Sequence, residues 1–173
     1  MQKNKIIQSM LFLLMVALNF MGCSAEGETV SAEGETVISP ESKISQDIVS
    51  FFEKELPAFG YSDSFFINEN QDSDLCLIIN SSREFREIYS GEKDLPKIDF
   101  NRYTLIIGKV RMPESFFYVT RQYVTINNND AVLNLDIAPV SREGSWPALS
   151  TLYFWGLYSK LSVEKVHINK NIR

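Results

Sequence analysis

Thr151-Leu152-Tyr153-Phe154-Trp155-Gly156-Leu157-Tyr158 is apolar on both of its alternating faces. Side chains along a strand point to opposite sides in turn. Leu152, Phe154 and Tyr158 therefore share one face, and Tyr153, Trp155 and Leu157 share the other. A strand that must be covered on both sides is expected in the middle of a sheet. Gly156 interrupts the first set, where a side chain would crowd whatever crosses the sheet. One face is expected to meet a helix stripe carrying Ile48 and Phe52. The other is expected to lie under the loop that carries Trp146.

The rest of the second half of the chain reads as sheet. Residues 103–112 begin apolar on both faces (Leu105, Ile106, Ile107) and end in alternation, with Lys109 and Arg111 opposite Val110 and Met112. Pro113 stops that run. Residues 116–127 form the next strand, and Asn127-Asn128-Asn129-Asp130 is a turn signal. Residues 132–137 return with Leu133, Leu135 and Ile137 inside and Asn134 and Asp136 outside, which predicts an antiparallel hairpin. Residues 163–172 close the chain, with Val166 and Ile168 inward. Residues 75–80 give an earlier, short strand.

Two helices are expected before these strands. Ser39, Pro40 and Glu41 suit the cap, first position and first turn of a helix. Ile44, Ile48, Phe52 and Leu56 follow at steps of four, joined by Val49, until Pro57 and Gly60. Ser81 or Ser82 caps a second, shorter helix over residues 83–89, with Phe85 and Ile88 inward. The predicted fold class is α+β: a mostly antiparallel sheet of about six strands, one long N-terminal helix and one short helix.

The first residues set the destination. Lys3 and Lys5 precede an apolar run over residues 6–20, then Gly22 and Cys23. A charged start, a short apolar core and a small residue at the junction make a secretory signal. The run is short for a membrane span of about 20 apolar residues and contains Gln8, Ser9 and Asn19. Phe20-Met21-Gly22-Cys23 resembles the bacterial lipobox, with Phe20 and Met21 departing from its commonest residues. That resemblance implies acylation of Cys23 and a membrane attachment through it. Residues 24–37 are Ser-Ala-Glu-Gly-Glu-Thr-Val written twice. This small, acidic repeat predicts a disordered tether, and it resembles the surface-export signal of Bacteroidetes lipoproteins. The expected organisation is residues 1–22 as signal peptide, 23–38 as lipidated cysteine and tether, and 39–173 as one globular domain. The implied place is the bacterial cell envelope, lipid-anchored at the outer membrane.

Composition excludes several functions. The formal charge is −5, and loss of Lys3 and Lys5 with a signal makes it more negative. An acidic surface argues against nucleic acid. With Cys23 acylated, Cys76 has no partner in the chain for a disulfide, and its apolar setting predicts an inert buried thiol. His167, the only histidine, falls on an outer face with Lys165 and Asn169, where no nucleophile–base pair is expected. The sequence carries no HExxH, no paired cysteines and no EF-hand spacing, so no metal or cofactor is expected. Asp94, Asp99 and Glu143 have no neighbour pattern that marks a paired-carboxylate site.

Aromatic residues are the best binding candidates. Tyr118 and Tyr153 each sit in a run of three aromatics, and Trp146 precedes Pro147 in a loop. Two further resemblances rest on residues 75–140. Ser82-Arg83-Glu84-Phe85, Leu95-Pro96-Lys97-Ile98-Asp99-Phe100 and Tyr103-Thr104-Leu105-Ile106-Ile107-Gly108 are similar to segments of small lipoproteins of gut Bacteroidetes. The Asp-Phe lead into an apolar strand also resembles the C-terminal domain of a family of non-catalytic protease-complex proteins, the B-type members of such complexes. Where that family has a glycine pair, Pro113-Glu114-Ser115-Phe116-Phe117-Tyr118 has none. The resemblance implies a non-catalytic component that binds a surface protein or protease. The expected function is thus a membrane-anchored lipoprotein with a binding or accessory domain. The alternative is a carboxylate-dependent hydrolase acting on glycan or peptidoglycan.

Overall fold

A computed structural model describes residues 28–30, 35–58, 65–66, 73–113, 117–127, 130–140 and 149–173. The chain order is β1 (Glu28–Val30), β2 (Thr36–Ile38), α1 (Gln46–Glu55), β3 (Leu75–Ile79), α2 (Ser82–Ile88), β4 (Tyr103–Met112), β5 (Phe117–Asn127), β6 (Asp130–Pro139), β7 (Ser150–Ser159) and β8 (Val166–Ile172). The strands form two sheets, one of order β1-β2-β5-β6-β8 and one of order β3-β4-β7. The fold is mostly β. This corrects the expected α+β class with a single sheet and a long N-terminal helix.

Three layers follow from where the apolar side chains go. Ile106, Val110, Met112, Leu152, Phe154 and Tyr158 leave the three-stranded sheet on one side and meet Val124, Leu133, Leu135 and Ile137 of the five-stranded sheet. Leu105, Ile107, Tyr153 and Leu157 leave it on the other side and meet Ile48, Phe51, Phe52, Phe85 and Tyr89 of the helical layer. Leu133, Leu135 and Ile137 are fully buried, and such burial is worth about 1.5–3 kcal/mol per side chain. The small sheet is therefore the filling between a larger sheet and two helices.

This stacking explains the opening stretch. β7 is an edge strand of its sheet, hydrogen-bonded to β4 alone. Its two faces are apolar because layers cover both of them, not because strands flank it. Phe52 stacks on Trp155 at 4.2 Å between ring centroids, as expected of the helix stripe. The opposite face meets the five-stranded sheet, and the Trp146 loop lies outside the described residues. A Cβ on Gly156 would press on the Gln122 amide and the Tyr158 ring. Gln122 donates from Nε2 to the Trp155 carbonyl at 2.6 Å and ties the two sheets along that side. On the other side Lys170 pairs with Asp74 at 2.7 Å.

The N-terminal helix is shorter than its periodicity suggests. It starts after Ser45 and runs ten residues, burying Ile48, Phe51, Phe52 and Glu55. Residues 39–44 cannot join it, because Ile38 is buried in the sheet core and the Glu41 amide donates to the Leu157 carbonyl. Ile38 pairs with Val124 of β5, and Val37 with Thr125. The described part of the expected tether is thus strand: the Glu-Thr-Val units of the repeat meet as β1 and β2, with Thr29 opposite Val37. The Thr-Val pairs overrode the small residues around them once β5 offered an edge. In α2, Ser81 accepts from the Glu84 amide at 3.2 Å and Glu84 accepts from the Asn80 amide at 2.6 Å, a variant of the capping box.

β5 and β6 form the expected hairpin, with a bulge between Val119 and Arg121. β8 departs from the all-antiparallel expectation, pairing in parallel with β6. β7 lies in the other sheet and carries the chain back between them. It does for this pair what a crossover helix does in a βαβ unit.

Candidate functional site

The inner face of the five-stranded sheet is core, and its outer face is polar. Alternation puts Tyr118, Arg121, Tyr123 and Thr125 of β5 on that outer face. Val132, Asn134 and Asp136 of β6 and His167, Asn169 and Asn171 of β8 join them. The bulge keeps Arg121 in phase, and the bulge residue Thr120 donates to the Asp136 carbonyl at 3.0 Å.

Register sorts these side chains into rows across the strands. One row is Tyr123, Asn134 and Asn169; the next is Arg121, Asp136 and Asn171. Asn169 donates from Nδ2 to Asn134 Oδ1 at 2.9 Å, and Asn134 donates in turn to Thr125 Oγ1 at 3.1 Å. Asn171 donates to Asp136 Oδ1 at 3.2 Å, and Arg173 sits 3.7 Å from the other Asp136 oxygen. The Arg121 guanidinium lies over the Tyr123 ring at 4.5 Å from its centroid, a contact worth about 0.5–1 kcal/mol at an exposed site.

Asn134 and Asp136 are only 7% and 6% exposed although they point outward. Side chains on the neighbouring strands close over them, and their hydrogen bonds offset the cost of burial. Asn169, Asn171, His167, Arg121 and Tyr118 remain exposed above them. The result is a fixed lower tier of polar groups that orients an exposed upper tier. His167 also lines a cleft of about 650 Å³ at the foot of the sheet, with Asp130, Glu164 and Lys165.

Tyr118 stands on this face, 41% exposed. Tyr153 does not: it is 8% exposed and packs toward the helices, which corrects its place among the binding aromatics. Trp146 and the proposed lipid attachment at Cys23 lie outside the described residues, as does Glu143. Asp99 caps a turn, accepting from the Asn101 amide at 3.1 Å. Sequence reading left Arg121, Tyr123, Asn169 and Asn171 unnamed as candidates. Their signal was a polar set at every second position on adjacent strands.

Other titratable groups serve the fold. Glu55, buried at the end of α1, accepts from the Tyr89 hydroxyl at 2.8 Å and pairs with the Lys93 ammonium. Burial works to raise its pKa, but Lys93 and the Tyr89 hydroxyl outweigh it and hold the carboxyl below its usual range. Burial, then the Glu55 hydrogen bond, push the Tyr89 hydroxyl up. Burial pushes the Cys76 thiol up to about 12, so it is protonated at neutral pH and a poor nucleophile. No three His, Cys, Asp or Glu side chains gather to hold a metal ion among the described residues. No helix among them is long and apolar enough to cross a membrane. No family model, curated protein or solved structure matches the chain.

Proposed function

We propose that the chain is an exported lipoprotein, anchored through acylated Cys23, whose domain is a non-catalytic binding or accessory module. Its working surface is the outer face of the five-stranded sheet. The two-tier polar arrangement carries this reading: Asn134 and Asp136 are buried as supports, and the amides they orient stand exposed. A face that served only to meet solvent would not need its polar groups cross-linked between strands. Preorganised groups of this kind lose little entropy when a ligand arrives.

The anchor and the face are tested separately in cells. Labelling with a palmitate analogue is expected for the wild type and lost in Cys23→Ala; unchanged labelling of that variant removes the anchor. For the face, a benzophenone amino acid is placed at Tyr118 and, as a control, at Phe65. Phe65 is 45% exposed and next to Phe66 of the helix-side core. Photo-adducts are expected at position 118 and not at 65. Equal adduct formation at both, or none at 118, removes the outer face as the working surface.

A further inference from the structure

On the reading that the outer face binds, we propose that its ligand is an uncharged glycan, held by Asn169, Asn171 and Tyr118. Each of the two exposed amides has one N–H committed, Asn169 to Asn134 and Asn171 to Asp136. That bond sets the plane of the amide and leaves it a carbonyl oxygen and a second N–H. A carbonyl and an N–H side by side match two adjacent sugar hydroxyls, one donating and one accepting. Asn169 and Asn171 lie two residues apart on β8, about 7 Å along the strand, so they address neighbouring sugars of one chain. Tyr118, across the sheet on β5, adds an exposed ring for the C–H faces of a pyranose.

Charge selects the ligand class. The buried carboxylate of this face, Asp136, is answered by Arg173, and Arg121 is spread over the Tyr123 ring. The face thus presents oriented amides over a neutralised base, while the chain as a whole is acidic, at −5. A polyanion meets repulsion from the whole and no cationic cluster in these two rows. A neutral polysaccharide meets neither penalty.

The test is affinity electrophoresis of the full chain in gels containing dextran, laminarin, xylan or, as the charged control, polygalacturonate. Retardation is expected in at least one neutral gel and not in polygalacturonate. The double variant Asn169→Ala/Asn171→Ala is expected to bind at least tenfold more weakly, and Tyr118→Ala several-fold more weakly. Circular dichroism of each variant checks that it is folded. A milder variant, Asn171→Asp, keeps the shape but replaces the donor and is expected to lose binding as well. Absence of retardation in all three neutral gels, or retardation that all of these variants keep, overturns the proposal. If adducts still form at position 118 in cells while no neutral gel retards the protein, the glycan is wrong and the binding face stands. If both fail, the face itself is wrong.

Discussion

β4 and β6 are the two strands most deeply buried in their sheets, and they are buried in different ways. In β4 the residues from Thr104 to Val110 are all buried, because an apolar layer lies on each face. In β6 the residues from Leu133 to Ile137 are all buried too, but only the inner face is under a layer. The outer residues Asn134 and Asp136 are covered from the side, by the strands to left and right. Layer burial asks for apolar residues, and lateral burial tolerates polar ones if they are hydrogen-bonded. The sequences differ accordingly: Leu-Ile-Ile-Gly-Lys-Val against Leu-Asn-Leu-Asp-Ile.

The largest expected effect comes from stripping the layer that β6 lacks. Phe52 is fully buried and stacks on Trp155, Phe66 and Phe85. Phe52→Ala is expected to cost about 3–5 kcal/mol in urea unfolding at unchanged slope. That is a large share of the 5–15 kcal/mol roughly typical of a domain. A loss below about 1 kcal/mol would mean that the helices add little to β4, and the contrast with β6 would collapse. Leu135→Ala removes a side chain from the layer the strands share. It is expected to cost about 2–5 kcal/mol, at the lower end because no stack of rings is broken with it.

The helical layer also has a pH dependence that the outer sheet face does not share. The Glu55 carboxyl titrates below its unfolded value, about 4.3, so its stabilisation is fully present above that pH. It is lost as pH falls through the folded value. The Lys93 partner is 55% exposed, so solvent screens the pair and the effect is about 1 kcal/mol. Wild type is expected to lose more stability than Glu55→Gln between pH 6 and pH 3. Equal losses would mean that the carboxyl is not held by Lys93 and Tyr89.

What could be read in advance follows the same division. Periodicity reports whether the faces of a strand are covered, and it did so for β7, β4 and the β5–β6 hairpin. It does not report which strands lie beside which. Hence Leu152 to Tyr158 was expected mid-sheet, although β7 is an edge strand in the middle of three layers. Strand direction is equally silent, so the parallel pairing of β8 could not be seen. Composition misleads for the repeat: glycine and glutamate outweigh Thr36, Val37 and Ile38, whose order comes from pairing with β5. Of the outer face, Tyr118 was visible as one aromatic in a run. The rows that make it a site depend on register, which a single strand does not contain.

The smallest expected effect on stability bears most on function. Tyr118 lies on the face without a covering layer and is 41% exposed. Its removal should leave no cavity, so Tyr118→Ala is expected to change unfolding by no more than about 0.5 kcal/mol. The same substitution is expected to weaken glycan retardation several-fold. This dissociation is what separates a ligand-facing ring from a packing one, since a core aromatic would show its loss first in stability. A cost above about 2 kcal/mol would mean that Tyr118 holds a layer in place, in which case β6 is covered on both faces as β4 is. The outer face would then be an interior, and the difference between the two strands would be one of residue choice alone.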